Sequence, residues 1–413
     1  MRRVVITGVG VMSPNGAGRE AYWSALKEGR SGLGTVTLFP PEKAQCSVVG
    51  EVKNLSYECL PPKDRRRVPR IVPMTVLAAE EALNEARLPF RTMTEEQRRE
   101  IGVIIGTGGG GVDFSEREYE RFYRGDPHVS AFAIVSSFVG MVSSEVSIHV
   151  GFRGPSHVLS TGCTSSTDAI GYAAELIRSG QLKHVLTGGA EACITPGILT
   201  AFVQMGTTTV KWNHDPERAS RPFSIDRDGF ILSEGAWMFV LESYETAVAR
   251  NAVIYGEIAG YASTCDAYHK TQIMPGGDES ARAVENALAD ARVGRDEIEY
   301  INLHGTATRM NDEIETIAVK KVFGERAARI PSSSTKSMIG HPQGACGAAG
   351  VAAALLALNR GIIHPTINLD NPDPACDLDY VPHVARETQV RTALCNCIAF
   401  GSKNSALVLK RVD

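Results

Sequence analysis

VLSTGCTSSTDAIGYAAELIRSGQLKHVLTGGAE, residues 158–191, is the stretch that decides the fold. Its first four residues predict a short buried strand. A Thr-Gly-Cys-Thr turn, an alanine-rich helix and a second strand ending at Gly188 and Gly189 follow. Cys163 stands where strand gives way to helix, so backbone N–H groups and the positive end of the helix dipole should favour its thiolate. Gly162 permits the sharp turn. This pattern is typical of a nucleophile elbow that carries Cys instead of Ser.

Length and composition predict a large α/β protein. The chain has 413 residues, 43% of them hydrophobic, with 40 glycines and 20 prolines, which is enough to bury a large core. Its net charge of −4 gives no general attraction to nucleic acid or to anionic membranes. No run approaches the ~18–20 apolar residues of a membrane span.

The N-terminus resembles an export signal only superficially. A basic pair precedes an apolar run, but the run reaches Pro14 and Asn15 too soon, so residues 4–7 are better explained as a first core strand. The Gly-Val-Gly turn at residues 8–10 lacks the third glycine of a dinucleotide-binding motif. We therefore expect a cytoplasmic protein in which nucleotide binding is disfavoured.

The nine cysteines are expected to be reduced thiols. Their number is odd, and the chain is long and shows no export signal. Cys395 and Cys397 are separated by one residue, which is not the spacing of a zinc ligand pair, so no metal site is predicted. Buried small hydrophobes are the ordinary interpretation of such cysteines. Only Cys163 is given a functional interpretation.

The two halves of the chain repeat one order of elements: strand, small-residue turn, Ala/Gly-rich helix, strand. Residues 163–171 of the first half correspond to residues 341–350 of the second. Helices with so little side-chain bulk must be packed on all sides. We therefore predict a duplicated, layered α/β/α/β/α fold with halves 1–250 and 251–413 and a site where they meet. The apolar segment 131–150 should be helical and line a cavity or a subunit interface.

Three residues that carry chemistry follow strands: Cys163, His304 and His341. The carboxyl ends of strands are where α/β sheets collect their functional groups. A Cys-His hydrolase needs one histidine as base and a third group to orient it. Two neutral imidazoles can instead hold an enolate or oxyanion, and beside an acylated thiol that combination gives a Claisen condensation.

Two further charged residues have alternative interpretations. Lys336, five residues before His341, could tune the site electrostatically or could be a surface lysine at a strand end. Glu315, eleven residues after His304, could contact that histidine or could begin the next helix with the favourable sign of charge.

Four motifs in order carry a family resemblance. They are Thr161-Gly-Cys-Thr-Ser, His304-Gly-Thr-Ala-Thr, Lys336-Ser-Met-Ile-Gly-His and Phe400-Gly-Ser-Lys-Asn. Over nearly all 413 residues the chain resembles the β-ketoacyl-(acyl carrier protein) synthases of the thiolase superfamily. Within them it is most similar to elongating synthases and to the catalytic ketosynthase subunit of bacterial type II polyketide synthases. Residues 215–223, 268–269 and 376–382 favour the polyketide branch, and Cys163 distinguishes the chain from that branch's non-catalytic partner subunit.

The resemblance implies a role for each matching residue. Cys163 would carry the growing acyl chain, and the backbone N–H groups of Cys163 and Phe400 would form the oxyanion hole. His304 and His341 would support decarboxylation of a malonyl-carrier protein, with Lys336 positioning the histidine region. Phe400 would also act as a gate. The remaining substrate contacts would come from Thr306, Thr308, Thr271 and Phe202. No cofactor would be needed, because the pantetheine arm arrives on the acyl carrier protein and decarboxylation supplies the driving force.

The resemblance also implies partners. Carrier proteins are acidic, so a basic cluster would steer and dock one; its residues are Lys63, Arg65, Arg66, Arg67 and Arg70. An ordinary solvated helix start is the alternative interpretation of this cluster. The second expected partner is another subunit, in a homodimer or in a heterodimer with a relative of the chain-length factors.

The chain departs from the family pattern at three places. Gly350 stands where an acidic partner for Lys336 is usual, and bulkier residues in the gate segment 399–404 should stiffen or reshape it. Gly108 and Ala133 replace large tunnel residues, which predicts a roomy acyl tunnel that phenylalanine at either position would shorten. Three alternative functions remain: a fatty-acid elongating synthase, a degradative thiolase using a cysteine near 395–397 as base, and a non-catalytic subunit.

Overall fold

The fold is built on one mixed sheet. A computed structural model describes residues 2–413. Eleven strands form the sheet, and the short hairpin arm Gly16–Ala17 is one of them. The other ten are β1 Val4–Ser13, β2 Ile101–Gly106, β3 Ser156–Leu159, β4 His184–Glu191, β5 Gly235–Ser243, β6 Gly256–Cys265, β7 Tyr300–Asn302, β8 Ser332–Ser333, β9 Thr392–Ala399 and β10 Lys403–Lys410. Two minor pairs lie apart from it, Gly34–Thr35 with Val48–Val49 and Ile362–Ile363 with Arg386–Glu387.

Both halves of the sheet have the same strand order. The first half runs β3-β2-β4-β5-β1 and the second runs β8-β7-β9-β10-β6. In each half the first three strands are parallel and the last two pair antiparallel. The halves join where β1 and β6 pair antiparallel, Val5 with Glu257 and Ile6 with Gly256. This repetition confirms the predicted duplication.

The helices fill the connections between strands. They are α1 Arg19–Glu28, α2 Ile71–Glu85, α3 Glu95–Arg99, α4 Val112–Tyr123, α5 Ala133–Ser137, α6 Met141–Val150, α7 Ser165–Arg178, α8 Pro196–Gln204, α9 Tyr244–Ala249, α10 Asp278–Ala291, α11 Arg309–Phe323, α12 Lys336–Ile339 and α13 Cys346–Arg360. Short 3-10 turns occur at Pro41–Lys43, Pro216–Arg218, Arg295–Glu297, Gly324–Arg329 and Gln343–Ala345.

Five layers follow from how these helices pack. Helices α2 and α6 cover the outer face of the first half-sheet, and α10 and α11 cover that of the second. Helices α7 and α13 lie between the half-sheets in the central core. Strands such as β1 and β5 are mostly apolar and are buried along their whole length because helices cover both of their faces. The predicted α/β/α/β/α arrangement is confirmed.

The two central helices approach closely at their N-termini. The backbone N–H of Ala348 donates to Ser166 Oγ at 2.9 Å. A Cβ at Gly347 would collide with Thr167 Oγ1, so only glycine allows this approach. Residues 346–358 of α13 are all buried, as its Ala/Gly-rich composition requires. The prediction that the cysteine-bearing helix lies against the Gly-rich helix is therefore confirmed.

Two predicted elements differ from the structure. Strand β3 is only partly buried, because it ends the sheet and has a neighbouring strand on one side alone. The segment 131–150 is not one helix but two, α5 and α6, separated by Phe138, Val139 and Gly140. Its apolar residues Phe132, Ile134, Val135 and Phe138 are exposed rather than buried.

Candidate active site

Cys163 lies in the turn between β3 and α7, at the bottom of a cavity. Gly162 has a φ of +73°, the left-handed conformation that the turn requires. The Cys163 side chain is buried, its Sγ is 3.2 Å from His341 Nε2, and Phe400 lines the same cavity. A nucleophile and a candidate base thus meet at one sulfur atom.

The expected thiolate is not the resting form of Cys163. Burial raises the pKa of its thiol above the ordinary value, and the nearby charge of Lys336 opposes that rise only in part. Burial also lowers the pKa of His341. A neutral imidazole therefore faces a protonated thiol at 3.2 Å and can accept its proton. Burial thus acts against the thiolate that the helix N-terminus was expected to favour.

His304 follows β7 and faces His341. The two rings are nearly perpendicular, at 86°, with centroids 5.3 Å apart. Burial, with the charge of Lys336 as a second cause, lowers the pKa of His304 to about 3. Both imidazoles are therefore uncharged near neutral pH. Each can hold one N–H donor toward an oxygen that develops negative charge in the cavity.

Glu315 and Lys336 hold the backbone of His304. Glu315 accepts hydrogen bonds from the backbone N–H of His304 and of Gly305, both at 2.7 Å. Burial raises the pKa of Glu315 to about 7. Lys336 is buried, and its Nζ donates to the His304 carbonyl at 2.6 Å. Glu315 thus makes the expected contact through the main chain, and Lys336 is not a surface lysine.

The structure explains why position 350 holds glycine and not an acidic residue. A Cβ at Gly350 would collide with Asn302 Oδ1. Asn302 is buried and hydrogen-bonds Tyr300 Oη at 3.1 Å and His364 Nε2 at 3.2 Å. This neutral cluster fills the space in which an acidic side chain at position 350 would lie. Lys336 is therefore bound by the His304 carbonyl in place of a carboxylate there.

Glu191 is a site residue that sequence reasoning missed. Its buried carboxylate accepts from the backbone N–H groups of Gly108, Gly109 and Gly344 at 2.8–3.0 Å. It thereby joins the glycine-rich turn after β2 to the segment that follows His341. The only signal in the sequence was an acidic residue ending an otherwise apolar strand.

A cavity of about 420 Å³ opens above the three residues. Cys163, His304 and His341 form its floor, and Phe400 and Phe230 are among its walls. Thr306, Thr308 and Thr271 also line it, so the structure brings these predicted contacts to the cavity. The Thr306 and Thr308 hydroxyls are 3.0 Å apart.

Three predicted substrate residues lie elsewhere. Among the described residues that line the cavity, Gly108, Ala133 and Phe202 do not occur. Phe202 packs behind Phe230, with ring centroids 5.2 Å apart. A Cβ at Gly108 would point to Glu191 Oε2 at 3.0 Å, and Ala133 begins the half-exposed α5. The small residues at positions 108 and 133 therefore do not widen this cavity, and the predicted roomy tunnel does not follow from them here.

The gate segment is tied to a neighbouring loop. Ser402 Oγ accepts from the backbone N–H groups of Tyr268 and His269 at 3.3 and 3.2 Å, and donates to the His269 carbonyl at 2.9 Å. Gly401 N–H donates to the Lys270 carbonyl at 2.9 Å. These bonds agree with the expectation that bulkier residues stiffen the segment around Phe400.

One residue of the predicted basic cluster, Arg70, does not contribute to the exposed docking surface. Arg70 is held by the buried carboxylate of Glu234 at 2.6 Å and also donates to the Val52 carbonyl, so its charge is not available at the surface. Lys63, Arg66 and Arg67 are exposed. Arg65 and Arg66 border a groove to which Arg117 and Arg121 of α4 contribute. Among residues 2–413, no helix is long and apolar enough to cross a membrane.

A buried cysteine that faces two neutral histidines between duplicated half-sheets defines a cysteine-dependent acyl-transferring enzyme. Residues 1–247 match the protein-family model "Beta-ketoacyl synthase, N-terminal domain", and residues 255–370 match "Beta-ketoacyl synthase, C-terminal domain". The chain belongs to the β-ketoacyl synthase family, whose members are condensing enzymes with a thiolase-like fold.

Relatives from two metabolic settings are similarly close. The chain is 41% identical to 3-oxoacyl-[acyl-carrier-protein] synthase 2 of Synechocystis sp., covering 99% of this chain and 98% of the relative. It is 42% identical to the tetracenomycin polyketide synthase ketoacyl synthase alpha subunit of Streptomyces glaucescens, covering 99% and 97%. A type II polyketide ketosynthase solved with its acyl-carrier protein superimposes with a TM-score of 0.91 at 33% identity over both whole chains. The ishigamide ketosynthase/chain length factor gives 0.91 at 34%, also over both whole chains.

Proposed function

We propose that this enzyme catalyses decarboxylative Claisen condensation of an acyl chain on Cys163 with malonyl-acyl carrier protein, extending a polyketide by two carbons. The observation that carries the proposal is the pairing of the Cys163 thiol with neutral His341, with neutral His304 opening onto the same cavity. A hydrolase would use one histidine and an orienting group, whereas two uncharged imidazoles suit an enolate.

The first half-reaction loads the thiol. His341 accepts the Cys163 proton, the sulfur attacks the incoming thioester, and His341 returns the proton to the departing carrier thiol. The tetrahedral oxyanion is held by the backbone N–H groups of Cys163 and Phe400. Phe400 lines the cavity together with Cys163, which agrees with this role for its amide.

The second half-reaction forms the carbon–carbon bond. The malonyl carboxylate leaves as CO₂, and the electron pair of the broken bond gives an enolate whose oxygen is held by the N–H groups of His304 and of His341, the latter in its Nε2–H tautomer for this step. The enolate carbon attacks the thioester on Cys163. Cys163 leaves as a thiolate and takes a proton from solvent. Loss of CO₂ drives the step, so the proposal requires no resident metal or redox cofactor.

The carrier protein would approach the exposed basic residues Lys63, Arg66 and Arg67, with its pantetheine arm passing Thr306 and Thr308. The exposed apolar residues of α5, Ile134 and Val135, suit a subunit interface, either with a second copy or with a chain-length-factor-like subunit. The nine cysteines are free, which is typical of the reducing cytoplasm where we place the enzyme.

A fatty-acid elongating synthase is the second candidate, because that relative is as similar as the polyketide one. A degradative thiolase is disfavoured by the position of Cys397. Its thiol donates to the Cys163 carbonyl at 3.1 Å and lies beneath the cavity floor, so it is not placed as a base toward substrate.

Product analysis tests the function. The enzyme, alone and with a co-expressed chain-length-factor relative, is given acyl-carrier protein and malonyl-carrier protein without reductases. A polyketide enzyme should release CO₂ and extend the chain repeatedly, two carbons at a time. A fatty-acid synthase should stop after one 3-oxo product. Hydrolysis without chain extension would contradict both.

Charge reversal at the docking surface should weaken carrier binding. For Lys63→Glu combined with Arg66→Glu, we expect the carrier Kd to rise about tenfold or more at low salt and to depend less on ionic strength. Calorimetry measures the affinity. Acylation of Cys163 by a small soluble thioester should not change, and Arg295→Glu, an exposed arginine of the second half, is the matched control. Equal effects of both variants would place the carrier elsewhere.

A further inference from the structure

We propose that Cys346, Cys397 and His304 form an inhibitory binding site for a thiophilic divalent metal ion such as Zn²⁺. The two thiols converge on the histidine directly below the cavity floor, and neither cysteine is used in the condensation. That occupancy blocks condensation rests on the proposed function, whereas the metal site itself does not.

The spacing of the ligand atoms fits a tetrahedral ion. The two sulfur atoms are 3.6 Å apart, and Cys397 Sγ is 3.5 Å from His304 Nδ1. In a zinc site with Zn–S near 2.3 Å and Zn–N near 2.0–2.1 Å, tetrahedral angles place neighbouring ligand atoms about 3.5–3.8 Å apart. A disulfide would instead require the sulfurs to close to about 2.05 Å. The sulfurs are thus already spaced for an ion between them.

The donor chemistry selects the ion. Two thiolates and one imidazole are ligands that zinc and cadmium prefer, and magnesium or calcium would reject them. All three side chains are buried, at 2–3% exposure, so water competes weakly for the coordination sphere. Binding replaces two S–H bonds with two sulfur–metal bonds and releases two protons.

The ion would affect catalysis through His304, which also belongs to the reacting residues. The ligand atoms of His304 lie within 4.8 Å of those of Cys163 and His341, so these three residues form a second possible ligand group. An ion held by three ligands takes a fourth, and the Cys163 carbonyl oxygen lies close to both sulfur atoms. Both thiols now donate to the Cys163 carbonyl, at 3.2 and 3.1 Å, and binding would remove both hydrogen bonds. Occupancy should therefore slow acylation of Cys163.

Cadmium titration of the reduced protein tests the site directly. We expect one Cd²⁺ per chain, with a thiolate-to-metal charge-transfer band of two sulfurs and release of about two protons. Cys346→Ser and Cys397→Ser should each weaken binding about 100-fold or more and lower the band. Cys395→Ser, a buried cysteine in the same strand, is the matched control and should bind normally.

The variant Cys163→Ala shows which of the two possible ligand groups binds the ion. If the site is Cys346, Cys397 and His304, this variant keeps the ion with two sulfur ligands. Loss of binding in Cys163→Ala, or full binding in both serine variants, would overturn the proposal. The inhibition is tested separately: Zn²⁺ should slow Cys163 acylation at least tenfold in the native enzyme and not in Cys346→Ser. Equal inhibition of both would overturn the inhibitory role while leaving the condensation assignment untouched.

Discussion

Cys163→Ala should abolish acyl loading and lower condensation by about 10⁴-fold or more, because no other group can form the thioester. Its sulfur is 3.2 Å from His341 Nε2 and lies in the cavity that Phe400 also lines. Intact-mass measurement after incubation with acyl-carrier protein should show the acyl adduct on the native chain and none on the variant.

Cys193→Ala is the matched control for this variant. Cys193 is also a small buried thiol in the first half, and it packs with Ile194 and Leu199 rather than at the cavity floor. It should load normally, and the folding transition of both variants should stay close to that of the native chain. An adduct that persists on Cys163→Ala would move the nucleophile to another cysteine.

Substitution of His304 and of His341 should affect the two half-reactions differently. We expect His304→Ala to load Cys163 within about tenfold of the native rate but to lose about 10²–10³-fold in CO₂ release and condensation. His341→Ala should slow both steps, because His341 is the imidazole in contact with the Cys163 sulfur. Single-turnover loading, followed by mass, and CO₂ release from malonyl-carrier protein measure the steps independently.

An exposed histidine gives the control for this pair. His128→Ala removes an imidazole whose side chain is 88% exposed, and it should leave both rates unchanged. Equal loss of loading in His304→Ala and His341→Ala would mean that the two rings act as one unit. The assignment of the base to His341 would then be wrong.

The fold and the three reacting residues could be predicted because the signals for them lie in short, continuous segments of the sequence. Cys163 and His341 sit in small-residue turns before Ala/Gly-rich helices, and that composition predicts helices packed on every side. Strand order could not be predicted, because tertiary packing decides which of several buried apolar strands become neighbours.

Several features that could not be predicted depend on a partner far away in sequence. Arg70 belongs to a basic run, but its partner Glu234 is 164 residues away. Cys346 and Cys397 meet across 51 residues, only because α13 passes under β9. The protonation of Cys163 depends on how completely the rest of the molecule excludes water, a quantity that no local motif contains.

The contact between α7 and α13 fixes the relative position of the reacting groups, so residues at this contact tolerate less substitution than residues elsewhere around the cavity. Sulfur and imidazole are held at working distance because the α13 main chain at Gly347 and Ala348 packs directly on side chains of α7, and even one added methyl group at Gly347 would push the helices apart. Other cavity-lining residues, such as Met205 and Thr271, lie outside this contact. Selection for new chain lengths or starter groups should therefore accumulate at such positions, and laboratory evolution aimed there should retain a working reaction centre.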